Sequence, residues 1–107
     1  MPIELSSSDN GQTISLKLGD TAELRLPENP STGYRWTIDR IDPAHLLVSE
    51  TGFRGGNPPG SGGDAFWRLR GTSPGATVLT LKRWRSFEGD RSIIERFGIT
   101  FHIADEG

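Results

Sequence analysis

The segment Asn29-Pro30-Ser31-Thr32-Gly33-Tyr34 gathers residue types that make a stiff, projecting loop tipped with hydroxyls. Pro30 fixes its own φ and holds Asn29 extended. The Asn29 side chain can bond to backbone two residues on. Gly33 can take a positive φ before the chain re-enters a strand at Tyr34. A hydroxyl at such a tip becomes a nucleophile only beside an activating base, and Ser31 has no recognisable His/Asp arrangement around it. His45 and His102 are isolated, and there is no cysteine, so neither a thiolate nucleophile nor ordinary metal-ligand spacing is present. Asp9, Asp20, Asp39, Asp42, Glu88 and Asp90 are scattered through turns and strand ends, where carboxylates cap and solvate. The chemistry expected is recognition without turnover: no enzyme, no cofactor and no metal.

Two further connections are richer than strand joining requires. Gly52 to Gly63 contains Gly55-Gly56, Asn57-Pro58-Pro59 and Gly60-Ser61-Gly62-Gly63. It is read as one loop of about a dozen residues, a length at which structureless loops are functional or disordered. Its glycines leave backbone donors and acceptors open to close approach. Arg83 to Ser92 carries Trp84, Arg85 and Phe87 in a polar stretch, and an exposed aromatic beside arginine is typical of a binding hot spot.

The elements that must hold these loops alternate with period two. Ile14, Leu16, Leu18; Ala22, Leu24, Leu26; Tyr34, Trp36, Ile38; Ala65, Trp67, Leu69; Leu79, Leu81; and Phe97, Ile99, Phe101, Ile103 each mark one face of a strand. A weaker strand includes Leu47 and Val48. Gly19-Asp20, Ser73-Pro74-Gly75 and Glu88-Gly89-Asp90 supply turns. Asp42-Pro43-Ala44-His45-Leu46 suits a single helical turn capped by Asp42. The expectation is an all-β, immunoglobulin-like β-sandwich of about seven to eight antiparallel strands. Trp36 and Trp67 are placed at the centre of its core. The loop between the second and third strands lies at the same end as the loop between the last two. The glycine-rich loop joins them there if it connects the fourth and fifth strands.

The 107 residues suit one domain spanning 1–107, with residues 1–11 expected to be a loosely ordered N-terminal segment. A formal net charge of -2 argues against a general nucleic-acid binder. No apolar run approaches the roughly 20 residues that cross a bilayer, so no membrane partner is expected. The N-terminus has no basic, apolar signal pattern. The compartment therefore stays open: cytoplasmic, or periplasmic or secreted after signal removal.

The three loops resemble those of the chagasin family of cysteine-protease inhibitors. Asn29-Pro30-Ser31-Thr32-Gly33-Tyr34 is similar to the family's NPTTGY loop, with serine for the first threonine. Gly60-Ser61-Gly62-Gly63 fits its GxGG motif. Arg85-Ser86-Phe87 falls where the family has Arg-Pro-Trp or Arg-Pro-Phe, so Ser86 stands where a proline would fix φ. Thr80-Leu81 before that motif and Glu95-Arg96-Phe97 after it resemble the family as well. A register through Arg83-Trp84 is the alternative; spacing from Leu81 favours Arg85-Ser86-Phe87. The resemblance implies a reversible, competitive, tight-binding inhibitor whose partner is a papain-like cysteine protease, and nothing in the sequence requires more than a monomer. It implies a wedge in which the first loop covers the catalytic cysteine, the glycine-rich loop lies along the cleft, and the third packs on the opposite side. The implied protease-binding residues are Asn29, Pro30, Ser31, Thr32, Gly33, Tyr34, Gly60, Ser61, Gly62, Gly63, Arg85, Ser86 and Phe87. A non-inhibitory immunoglobulin-like module for protein or carbohydrate, using the same loops, is the alternative reading.

Overall fold

The period-two runs become strands in the computed structural model, which describes residues 3–55 and 62–105. Among the described residues there are eight: β1 (Ile3–Leu5), β2 (Thr13–Lys17), β3 (Thr21–Glu28), β4 (Arg35–Arg40), β5 (Leu46–Gly55), β6 (Gly63–Gly71), β7 (Gly75–Trp84) and β8 (Glu95–Ala104). They form two four-stranded sheets, ordered β1-β3-β6-β5 and β2-β8-β7-β4. The result is the expected all-β sandwich. Its inner pairs are antiparallel, but β1 joins β3 and β2 joins β8 in parallel. β3 is reached from β1 through β2 of the other sheet, and β8 follows β2 only after five intervening strands, the non-local links that parallel neighbours need.

From Ile3 onward the described part of the N-terminal segment is bonded into the sheets. Leu5 is buried in the core. Asn10 Oδ1 accepts the Gly98 N–H at 2.8 Å, and the Gly11 N–H donates to Gly98 O at 2.7 Å.

The inward rows of both sheets meet in one cluster, in which Leu24, Leu26, Leu69, Leu79 and Phe101 are fully buried. Each such side chain contributes about 1.5–3 kcal/mol by leaving water. Trp36 and Trp67 both belong to this core. The Trp36 indole N–H donates to Pro27 O at 3.0 Å, which draws the ring to the end of the sandwich where β3 finishes.

The long loop expected from Gly52 to Gly63 is shorter than its composition suggests. β5 runs on to Gly55 and pairs with β6 from Gly52↔Phe66 to Gly55↔Gly63. The ring of Phe66 closes over Gly52, where a Cβ would sit only 3.0 Å from it. The Arg54 guanidinium lies 4.0 Å from the centre of the same ring. Leu46 is buried in the core and Val48 packs against it, and beyond them the strand is carried by this pairing. Residues 42–46 form the expected turn: the Ala44 N–H donates to Asp42 Oδ1 at 3.0 Å, and the His45 and Leu46 N–H groups to Asp42 O.

Candidate functional site

β3 and β4 belong to different sheets, so the loop between them must turn across the end of the sandwich. Its base is set by Glu28, which continues the inward row Ala22, Leu24, Leu26 and is buried. Glu28 Oε1 accepts the Trp36 N–H at 2.6 Å, and Oε2 lies 3.6 Å from Arg35 Nε. One carboxylate thus joins the last residue of β3 to the start of β4.

Above that clamp the loop is wound by its own side chains. Asn29 Oδ1 accepts from the Ser31 N–H at 3.1 Å and the Ser31 hydroxyl at 2.7 Å. Thr32 donates its N–H and its hydroxyl to Asn29 O, at 3.1 and 2.9 Å, and its Oγ1 accepts the Tyr34 N–H at 3.2 Å. Pro30–Thr32 forms a 3-10 turn, and Gly33 takes φ +80°, the left-handed value that its place in the sequence anticipates. Ser31 and Thr32 remain exposed.

The second loop joins β5 to β6. Gly60 and Ser61 lie outside the described residues. Gly62 and Gly63 each have a geometric need for glycine. Gly62 has φ +86°, and a Cβ on it would touch Glu28 O at 3.5 Å and Asn29 Cβ at 3.6 Å. At Gly63 a Cβ would overlap the Arg54 carbonyl oxygen. The glycine pair therefore brings the second loop against the base of the first.

The third loop joins β7 to β8 through two 3-10 turns, Ser86–Glu88 and Asp90–Ser92. Arg85 reaches the first loop: its Nε and Nη2 donate to Thr32 O at 3.2 and 3.0 Å. Its guanidinium also stacks 4.3 Å from the centre of the Tyr34 ring. The side chain expected at a partner's surface is thus committed within the molecule, and Phe87, at 78% exposure, is the loop's free aromatic. Trp84, the aromatic of the alternative register, lies on the sheet. Its indole donates to Thr37 Oγ1 at 3.1 Å, and the Lys82 ammonium sits 3.7 Å from its ring centre. A groove of about 450 Å³ opens between Trp84 and Phe87, with Trp36 among its walls.

The described parts of all three loops occupy one end of the sandwich, joined by Gly62 against Asn29 and by Arg85 against Thr32 and Tyr34. Sequence reasoning assigned no role to Glu28 or Ser92. Glu28 carried a usable signal, a carboxylate in phase with an inward apolar row. Ser92 carried none.

Comparison with known proteins gives this end of the molecule its context. Residues 15–101 match the model of the chagasin family, described as peptidase inhibitor I42. The chain belongs to the chagasin family of peptidase inhibitors. It is 26% identical to chagasin of Trypanosoma cruzi, over 92% of this chain and 96% of that one. It is 29% identical to amoebiasin-1 of Entamoeba histolytica, over 84% and 92%. Among solved structures, the cysteine protease inhibitor EhICP2 of Entamoeba histolytica superposes with a TM-score of 0.87 at 21% identity, covering 95% of each chain. That likeness bears on the fold. Family membership makes the protein an inhibitor and not an enzyme.

Proposed function

We propose that this chain acts as one unit that reversibly and competitively inhibits papain-type cysteine proteases by filling the active-site cleft with its three loops. The observation that carries the reading is the clasping of those loops into one edge: Arg85 bridges the third loop to the first, and Gly62 seats the second against it.

The first loop stands over the catalytic cysteine with Ser31 and Thr32 beside it. A thiolate attacks a carbonyl only from about 3–3.5 Å along the correct approach. The backbone between Asn29 and Tyr34 is locked by the Asn29 and Thr32 bonds, so it fills the site without bending a carbonyl into reach. Loop entropy already lost in the free protein is not lost again on binding. Phe87 and the groove beside it cover the far wall. Three such loops can bury the roughly 1,600 Å² of a standard interface.

Titration against papain and several cathepsin-like enzymes tests this. Stoichiometric loss of activity at or below micromolar inhibitor is expected; full activity across the panel at that concentration overturns the reading. Thr32→Asp sets a charge beside the thiolate and weakens inhibition by about a hundredfold, roughly 2.7 kcal/mol. Stability falls by about 1 kcal/mol, because a carboxylate cannot replace the hydroxyl's bond to Asn29 O. Thr32→Ser keeps the hydroxyl bonds and keeps inhibition. Equal inhibition by all three forms contradicts the proposed docking.

A further inference from the structure

Ser92 is buried in a segment whose neighbours Phe87, Glu88, Asp90 and Arg91 are exposed. Its hydroxyl accepts the Arg85 N–H at 3.0 Å and lies 2.9 Å from Arg85 O and 2.7 Å from Gly89 O. One hydroxyl proton serves one of these carbonyls at a time, and the oxygen still accepts from Arg85. The side chain therefore bonds both backbone groups of the residue that opens the third loop, and does so from the residue that ends its second 3-10 turn. The Ile94 N–H to Arg83 O bond, 2.9 Å, lies just outside this neck. Inside it the strands have separated, and the serine hydroxyl stands where ladder bonds would otherwise be.

We infer that Ser92 is the positioning residue of the third loop: by pinning Arg85 it fixes the direction in which Phe87 projects, a constraint that Ser86 does not supply. The inference rests on the inhibitory reading above and adds to it the residue on which the third loop's preorganisation depends. Two features of the backbone support it. Arg85 is extended, at φ -99° and ψ 104°, close to the geometry of a residue before proline. Ser86 is the first residue of a 3-10 turn, a position that accepts proline because its N–H is not used by the turn. A covalent constraint at 86 and a hydrogen-bonded one from 92 are thus alternative means to one loop shape. Alanine at 92 removes the second without replacing it.

The test has one arm on the free protein and one on the complex with papain. In Ser92→Ala, the backbone order parameters of Phe87 to Gly89 fall from about 0.85 to below about 0.6. The dissociation rate from papain rises about tenfold with little change in the association rate, as loss of preorganised contact predicts. Adding Ser86→Pro to Ser92→Ala returns the order parameters to about 0.85 and the dissociation rate to within about threefold of the starting protein. A residue that only supports the fold would lower the melting temperature without a selective change in dissociation, and proline at 86 would not restore it. Unchanged order in Ser92→Ala, unchanged dissociation despite lost order, or failure of Ser86→Pro to restore either, each overturns the inference. A wild-type protein that leaves papain active removes the inhibitory reading instead, and the order parameters still decide the role of Ser92 in the loop.

Discussion

Two buried glutamates on β3 do opposite jobs with the same functional group. Glu23 points to the outer face of its sheet and is surrounded by guanidinium groups: Arg25 at 2.6 Å, Arg68 at 3.0 Å and Arg54 at 3.2 Å. Glu28 points inward at the loop end and is satisfied chiefly by a backbone amide, the Trp36 N–H at 2.6 Å. The bonds to Arg68, and then to Arg25 and Arg54, outweigh the cost of burial and bring the Glu23 carboxyl down from 4.5 to about 2. Glu23 cross-links β3 to β5 and β6 on the outer face of their sheet. Glu28 shapes a loop. A carboxylate among mobile arginines tolerates rearrangement, whereas one that receives a single backbone N–H dictates where that backbone goes.

Removing Glu28 breaks the comparison at its stronger side. Glu28→Ala leaves the buried Trp36 N–H without its acceptor, which costs about 1–3 kcal/mol. The junction of β3 and β4 loosens, and inhibition of papain weakens about tenfold or more as the first loop loses its base. Glu28→Gln keeps the acceptor and most of both properties. Urea unfolding beside inhibition titration reads the pair. Full inhibition by a destabilised Glu28→Ala protein would show that the first loop holds its shape without the clamp.

The strands were legible where burial alternates on one face, as in β3, β6 and β8. β5 was legible only at its start, Leu47 and Val48; its run to Gly55 was not, because Ser49 to Gly52 are exposed and the strand is held there by its ladder and by Phe66 over Gly52. The first loop was legible from Asn29, Pro30 and Gly33, whose conformational restrictions are local. The third was legible in position but not in mechanism. Arg85 finds Thr32 across a separation of 53 residues, and Ser92 looks like any polar loop residue until the chain folds back on Arg85. Local backbone chemistry can be read along a chain; a contact made by topology cannot.

Glu23 gives the next largest effect and a pH signature. Its folded carboxyl titrates at about 2, below its ordinary value of 4.5. The stabilisation is therefore fully present above about pH 4.5 and disappears as the pH falls toward 2. The arginine partners are 37–48% exposed, and discounting for solvent screening leaves about 1–2 kcal/mol at neutral pH. Glu23→Gln should lose that amount at pH 7, converge with the unmodified protein near pH 2, and keep full inhibition. Parallel stability curves across that range would show that the arginines contribute nothing specific to this carboxylate. Weakened inhibition would show that the two glutamates are coupled.

The smallest change sharpens what burial contributes. Glu50 also pairs with Arg68, at 2.7 Å, but its side chain is 52% exposed. Its shorter contact would make it the better partner if distance alone decided. An exposed pair is worth about 0–1 kcal/mol, so Glu50→Gln should cost no more than about 0.5 kcal/mol. In Glu50→Gln, Arg68 keeps the 3.0 Å bond from Nη2 to Glu23 and loses the charged acceptor at Nη1. The two substitutions combined should therefore fall short of or exceed the sum of the singles by a measurable coupling, because both carboxylates share one guanidinium. Strict additivity in urea unfolding would mean that Arg68 serves only one of them in solution, and the single-mutant losses would identify which.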